Sequence, residues 1–297
     1  MRFRQIYIEI TNVCNLACPF CPGTGRAPAY MNAAMFADIA RQVKPLTKQV
    51  YLHVMGEPLL HPEFFRFIEI CAGLELPVAI TTNGTLFDTA AAAGLLNPVV
   101  RQVNISLHSL PQLQLQTDRE KRLQQILDFT KKAFAQRPEL YINYRLWNLD
   151  SPSQKLDSDA NNWICRSIEG AFGVTIPATG HSSGRKSRPL LNRLYLHLDT
   201  RFEWPDVKSA NLLNTKGFCH ALGTHCAILS DGTVAPCCLD RDGVTALGNC
   251  RQQSILDILD SPRAKAILTG FENGVLIEDL CQKCAYCTRF KARPKKA

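Results

Sequence analysis

Cys14-Asn15-Leu16-Ala17-Cys18-Pro19-Phe20-Cys21 puts three cysteines on one short loop in a C-x3-C-x2-C spacing. It follows directly on the alternating apolar run Ile6-Tyr7-Ile8-Glu9-Ile10-Thr11. Such a run reads as a strand, and the cysteines as the loop that leaves it. Three thiolates on one tight loop can ligate three irons of a cubane [4Fe–4S] cluster. Cubanes ordinarily take four thiolates, so the fourth iron is left open to another ligand. The spacing points to a cluster that binds something.

Outward from this loop, candidate strands at 7–11, 49–54, 77–82, 102–107 and 141–147 alternate with helical stretches at 33–43, 63–74 and 119–136. That alternation predicts an α/β fold with a parallel sheet and helices outside it. Ligands in such folds bind at the C-terminal ends of the strands, which is where the cysteine loop falls. Between 148 and 215, SPSQKLDSD and HSSGRKSRP read as loops and LNRLYLHLDTRFEW as a strand. From Phe218 the character changes, and eight of the 13 cysteines lie between Cys219 and Cys287. A boundary near 215 gives two expected domains, 1–215 and 216–297.

The chain has 297 residues, 46% of them hydrophobic, enough for a large α/β domain and a smaller one. No stretch reaches the roughly 18 uninterrupted apolar residues of a membrane helix. The first residues, MRFRQIYIEIT, lack the apolar core and cleavage site of a signal peptide. A cytoplasmic location and no membrane partner are therefore expected, and cysteines there serve metal or redox chemistry more than disulfides. The net charge of +8 draws in part on the tail RFKARPKKA. A solvated terminus accounts for that tail, and no RNA-binding motif accompanies it.

The cysteine run resembles the signature of the radical S-adenosylmethionine (radical SAM) enzymes, with Phe20 in the aromatic position before the third cysteine. The resemblance implies a partial (β/α)6 barrel in which Cys14, Cys18 and Cys21 hold a [4Fe–4S] cluster. The open iron would chelate S-adenosylmethionine (SAM), with Phe20 beside it. Reductive cleavage of SAM would give a 5′-deoxyadenosyl radical that abstracts hydrogen from a substrate. Met55-Gly56-Glu57-Pro58 resembles the family's GGEP element, with Met55 in place of the first glycine. It implies that Gly56, Glu57 and Pro58 help hold the SAM amino group. Thr81-Thr82-Asn83-Gly84 would line the SAM side through Thr82 and Asn83, although a plain turn explains Asn83 equally well. In the strand VNISLHS, alternation puts Asn104, Ser106 and His108 on one face. Ser106 resembles the residue that contacts the SAM ribose. Arg145 is a candidate for the SAM carboxylate, since Arg suits planar carboxylates; a structural ion pair is the alternative. Glu9 and His108 are candidate catalytic residues, and His53 is similarly ambiguous.

The C-terminal cysteines form a second pattern. Cys219 and Cys237 flank Gly232 as C-x12-G-x4-C, with a hairpin turn at Ser230-Asp231-Gly232-Thr233, and Cys281, Cys284 and Cys287 form C-x2-C-x2-C. This resembles the SPASM or shorter twitch extension of radical SAM enzymes, which binds auxiliary [4Fe–4S] clusters. The central C-x2-C-x5-C-x3-C block of the full SPASM pattern is absent. The resemblance implies Cys219, Cys237, Cys281 and Cys284 as ligands, with Cys287 competing for the last place. Cys226, Cys238 and Cys250 are surplus to one cluster. They are candidates for a second cluster, for returning a hydrogen atom to a substrate radical in an epimerisation, or for plain thiols. Cys71 and Cys165 sit in apolar helical contexts and are expected in the core.

The function expected from this resemblance is oxidation or epimerisation of a small-molecule or peptide substrate, with flavodoxin or ferredoxin as electron donor. Two other readings stand beside it. One is a non-catalytic iron–sulfur or zinc protein, because Cys-x2-Cys pairs on hairpins also bind zinc. The other is a nucleic-acid-modifying radical SAM enzyme, drawn only from the positive charge; nucleic acid is not the expected partner.

Overall fold

Strand β1 (Gln5–Ile8) runs into the three-cysteine loop, and helix α1 (Ala33–Val43) and strand β2 (Val50–Tyr51) follow. Then come α2 (Phe64–Gly73), β3 (Val78–Thr82), α3 (Ala90–Gly94), β4 (Val100–Ser106), α4 (Gln116–Gln136), β5 (Tyr141–Leu146) and α5 (Gln154–Phe172). The hairpin β6 (Ser187–Leu191) and β7 (Leu194–Leu198) precedes β8 (His225–Ile228), β9 (Thr233–Ala235) and β10 (Gly248–Asn249). Helices α6 (Ile255–Leu259), α7 (Pro262–Glu272) and α8 (Asp279–Gln282) complete the chain. A computed structural model of the protein describes residues 2–149, 154–177, 186–210 and 213–290. The basic tail beyond Phe290 lies outside the described residues, as do residues 181–185 of HSSGRKSRP; that segment was expected as a loop, but its Ser187, Arg188 and Pro189 belong to strand β6, which pairs antiparallel with β7.

The chain divides into two compact units. One comprises Met1–Val13, Pro22–Gly56 and Phe202–Ala297. Its strands run β10-β9-β8-β1-β2, with β8, β1 and β2 parallel and the β8–β9 and β9–β10 pairs antiparallel. Alternation along β1 buries Ile6 and Ile8 completely. Asn32 caps α1 by accepting a hydrogen bond from the Met35 amide (2.9 Å). The buried face of α1, with Phe36, Ile39, Ala40 and Val43, belongs to the same core as α6, which it contacts.

The other unit comprises Cys14–Cys21 and Glu57–Arg201. Its strands run β3-β4-β5-β7-β6, parallel except for the final hairpin. Ile80, Val103, Ile105, Ile142, Tyr144 and Leu196 fill its core. The polar positions of β4 are satisfied from within. Asn104 is fully buried, donates to Ile80 O (3.1 Å) and Thr81 Oγ1 (3.2 Å), and accepts from Gln102 (2.8 Å) and Asn143 (2.9 Å). Neither run of strands closes on itself.

Three further expectations need correction. LNRLYLHLDTRFEW was expected as a strand, but only Leu194–Leu198 is one, because the chain reverses at Asn192 and Arg193 to form the β6–β7 hairpin. SPSQKLDSD was expected as a loop, but its residues 154–159 are the first turns of α5, while 151–153 lie outside the described residues. Polar residues crowd those turns, and the apolar positions that mark the helix, Ile164, Cys165 and Ile168, come only later. His108 does not share a strand face with Ser106, because β4 ends at Ser106 and the chain turns into a 3₁₀ segment, Leu107–Gln112. Cys71 and Cys165 are buried in α2 and α5.

Candidate functional site

Cys14, Cys18 and Cys21 sit on a tight turn closed by the hydrogen bond from Cys21 N to Cys18 O (2.9 Å). Burial pushes the Cys18 thiol up to about 12, and neighbouring Cys14 and Cys21 push it the same way. Cys14 is also raised, chiefly by burial, against hydrogen bonds from the Leu16 amide and Asn83. Thiols that penalise one another's ionisation are a donor set in want of cations, since a coordinating metal deprotonates a thiol outright. Among the described residues, no three or more His, Cys, Asp or Glu gather as a single metal ion needs. A cubane spreads its thiolates over separate irons, and the Cys14–Cys21 loop fits one in donor type, number and mutual proximity.

Around this loop lie several of the residues expected at the site. Glu57 caps the 3₁₀ turn Pro58–Leu60, accepting from the Leu59 amide (3.0 Å) and, through its other oxygen, from the Asn83 amide (2.7 Å). It is buried, as are Pro58 and Thr82. Its carboxyl therefore ties the end of β3 to the turn after β2. Burial holds Glu57 up at about 7, against hydrogen bonds from Asn83, Leu59 and Thr82 that favour the carboxylate. The folded chain thus keeps this proton where the unfolded chain, at 4.5, has lost it. Stability should fall by about 3 kcal/mol in total as pH rises from about 4.5 through about 7. Glu57→Gln should flatten that slope. Denaturant midpoints of both proteins at pH 5 and pH 8 check it, and identical slopes would remove Glu57 as the cause.

Phe20 packs against His108 (ring centroids 5.1 Å apart). The guanidinium of Arg201 lies 5.2 Å over the same Phe20 ring, and Arg201 pairs with buried Asp157 (3.1 Å). Burial pushes His108 down to about 4, and Arg145 and Arg201 add to that. The ring is neutral at physiological pH. Its Nδ1 lies 3.0 Å from the carbonyl oxygen of Arg145, so Nδ1 carries the hydrogen and Nε2 presents the lone pair. Arg145 stands opposite Ser106 in the β4–β5 register, and its guanidinium lies 4.6 Å over Trp147. Arg201, Asp157 and Trp147 carry no motif, and sequence reasoning missed them.

In the other unit, Gly56 has φ +76°. Glu9 is fully buried and accepts from Arg26 at both oxygens (2.7 and 2.8 Å). It also accepts from the Met55 amide (3.1 Å), the Ser230 amide (3.1 Å) and Ser230 Oγ (2.9 Å). Such a carboxylate is a tie between chain segments, with its hydrogen-bonding capacity already used.

The C-terminal cysteines separate into two sets. Burial pushes Cys237 well up, with Cys238, Cys219 and Cys281 adding. Cys219 is pushed up to about 11 by burial, with Cys284 and Cys287 adding. Cys281 is raised by burial, Cys219 and Cys284. Cys238 is pushed up to about 11 by burial, with a hydrogen bond from Tyr7 opposing and Cys219 and Cys284 adding. The Cys287 thiol donates to Cys284 O (3.1 Å). These thiols lie within electrostatic reach of one another. Cys226 stands apart on β8, fully buried and paired in register with Ile6. Cys250 lines a separate cavity of about 580 Å³ with Tyr30, Met31, Met35 and Asp231.

Comparisons with known proteins agree with this geometry. Residues 8–144 match the radical SAM superfamily and residues 219–288 match the SPASM iron–sulfur cluster-binding domain. A GTP 3',8-cyclase of Microcystis aeruginosa is 32% identical over 113 residues, covering 35% of this chain and 34% of that protein. The tungsten-containing aldehyde ferredoxin oxidoreductase cofactor-modifying protein of Pyrococcus furiosus is 30% identical over 115 residues, covering 37% and 32%. The chain thus spans about a third of the length of these curated relatives. Among solved structures, BtrN in complex with AdoMet and 2-DOIA has a TM-score of 0.53 at 16% identity, covering 95% of this chain and 93% of that one. SuiB of Streptococcus suis bound to precursor peptide SuiA has a TM-score of 0.56 at 18% identity, covering 96% and 71%. These likenesses establish the partial-barrel α/β fold. No helix among the described residues is long and apolar enough to cross a membrane. With its three-cysteine loop, its C-terminal thiols and both domain matches in order along one chain, the protein belongs to the radical SAM superfamily, with the SAM-binding [4Fe–4S] cluster and SAM that this implies, and carries a C-terminal SPASM-type domain for auxiliary iron–sulfur clusters.

Proposed function

We propose that the protein is an enzyme that reductively cleaves SAM and takes a hydrogen atom from a small-molecule or peptide substrate, in an oxidation or an epimerisation. The observation that carries this reading is the gathering of Cys14, Cys18 and Cys21 beside Asn83 and Glu57 at the ends of strands. When bound, the cluster and SAM supply the electron and the carbon-centred radical. The chain's own residues hold and orient. Cys14, Cys18 and Cys21 hold three irons, and Phe20 and neutral His108 wall the site. Arg145 and Arg201 offer positive charge for a carboxylate, and Ser106 a hydroxyl for a ribose. Relatives named for a nucleotide and solved neighbours named for peptides support both substrate classes.

Residues 1–215 carry this chemistry in our reading, and 216–297 hold an auxiliary cluster on Cys219, Cys237, Cys281 and Cys284 or Cys287. Cys226 has no accessible surface from which to reach a substrate. A flavodoxin or ferredoxin supplies the electron. The test is 5′-deoxyadenosine release from SAM by anaerobically reconstituted protein with a low-potential reductant. Cys14→Ala/Cys18→Ala/Cys21→Ala should abolish release and lower bound iron by about four atoms per chain, one cubane's worth. Equal release from parent and triple variant would end the assignment, and zinc in place of iron would favour the binding-protein reading.

A further inference from the structure

Asn83 is engaged at every polar atom. Its amide donates to Glu57 (2.7 Å), and its carbonyl accepts from Ser109 Oγ (3.0 Å). Its side-chain Oδ1 accepts from both the amide (3.0 Å) and the hydroxyl (2.7 Å) of Thr85. Its Nδ2 donates to Asn15 Oδ1 (2.9 Å), and Asn15 Nδ2 donates in turn to Thr85 Oγ1 (2.8 Å). Asn83, Asn15 and Thr85 therefore form a closed ring in which every donor faces an acceptor. This ring determines which way the Asn83 amide points. Flipped, it would set an NH₂ against the Thr85 amide hydrogen and a carbonyl oxygen against the Asn15 carbonyl oxygen. One hydrogen on Asn83 Nδ2 is left over, and it faces Cys14 Sγ at 3.7 Å, within reach for sulfur.

The turn that carries Asn83 has little freedom. Gly84 sits at φ +81°, and a Cβ there would come within 2.7 Å of Ile126 Cδ1 and 3.1 Å of Ile105 Cγ2. Thr85 is buried. Asn15 and Cys14 are both exposed, so closure of the ring, and not burial, aims the donor at the sulfur.

We infer that Asn83, held by Asn15 and Thr85, is a positioning residue that donates a hydrogen bond to the Cys14 sulfur and thereby raises the reduction potential of the cluster on Cys14, Cys18 and Cys21. The physical reason is electrostatic. A reduced cluster carries one more negative charge on its iron and sulfur atoms. A donor at a ligating sulfur stabilises the reduced form more than the oxidised one. This inference rests on the cluster assignment proposed above. It gives Asn83 a task at the cluster, distinct from lining the SAM side of the barrel.

The experiment is an EPR-monitored redox titration of the reconstituted full chain. The signal left in the Cys14→Ala/Cys18→Ala/Cys21→Ala variant is subtracted to isolate this cluster. Asn83→Leu keeps the side chain's shape and removes the donor. It should show an about ten-fold smaller reduced-to-oxidised ratio at fixed poise, a midpoint about 59 mV more negative for a one-electron couple. Thr85→Val opens the ring while leaving Asn83 in place, and should shift the midpoint in the same direction by less. An unchanged midpoint in a loaded Asn83→Leu protein overturns the inference. If Asn83→Leu does not load, Thr85→Val decides by the same criterion. Failure of both to load also overturns it, because Asn83 would then be scaffold alone. A parent with no signal beyond the triple variant would instead sink the cluster assignment itself.

Discussion

Gly56→Ala should destabilise the protein by about 2–5 kcal/mol, the sum of a left-handed backbone cost and overpacking. A Cβ on Gly56 would lie 2.4 Å from Thr11 O and 2.8 Å from Val13 O, with Asn12 C at 3.0 Å. All three are backbone atoms, so no rotamer change relieves the contact. Nor is that backbone free to retreat. Thr11 Oγ1 donates to Ala29 O (2.8 Å), Asn12 Nδ2 donates to Ala27 O (2.8 Å), and the Ala29 amide donates to Asn12 Oδ1 (2.7 Å). Residues 11–13 lead straight into Cys14, so a shift there reaches the ligand loop. Denaturant midpoint and bound iron should both fall in the variant. A parent-like midpoint with full iron would show that the segment gives way cheaply. Of the two positions in Met55-Gly56, then, the second is the one that geometry restricts to glycine.

Glu9→Ala should cost about 3–5 kcal/mol, because it leaves a largely buried guanidinium without its carboxylate. Arg26 is 14% exposed at its side chain and Glu9 is fully buried. The same substitution strips acceptors from the Met55 amide and from Ser230, and orphaned buried donors carry their own penalty. The segment after the cysteine loop is then held only by its other ties. Thr24 Oγ1 donates to Asp242 (2.6 Å), the Gly25 amide to the same carboxylate (2.8 Å), and Arg26 Nε to Arg241 O (2.8 Å). A double-mutant cycle of Glu9→Ala with Arg26→Ala separates the pair from these neighbours. Glu9 as a structural tie predicts a double variant much closer to the single variants than to their sum. Additive losses would show that the two side chains act independently.

The three-cysteine loop was legible because its information is local. C-x3-C-x2-C brings three thiols together whatever the rest of the chain does. Strand and helix positions were legible for the same reason, since apolar periodicity reports which face of an element is buried. The reading of α1 matches its observed span, Ala33–Val43. It failed where periodicity was masked, at the polar start of α5, and where a strand ended early, at Ser106. In both places a local rule was carried past the residues that obey it.

By itself, the sequence determined the family, the cluster loop, the α/β alternation and a cysteine-rich C-terminal region. Each depends on residues a few positions apart. Only the tertiary structure decided which C-terminal thiols gather and that Cys226 and Cys250 stand aside. It alone closed the Asn83–Asn15–Thr85 ring, laid Arg201 over Phe20, and turned Glu9 into a tie for Arg26 and Ser230. The Glu9–Ser230 bond joins residues 221 positions apart, and the Asn83–Cys14 contact residues 69 apart. No spacing rule encodes such pairs. They exist because whole elements pack together, and burial then makes each polar group find whichever partner packing has brought within reach.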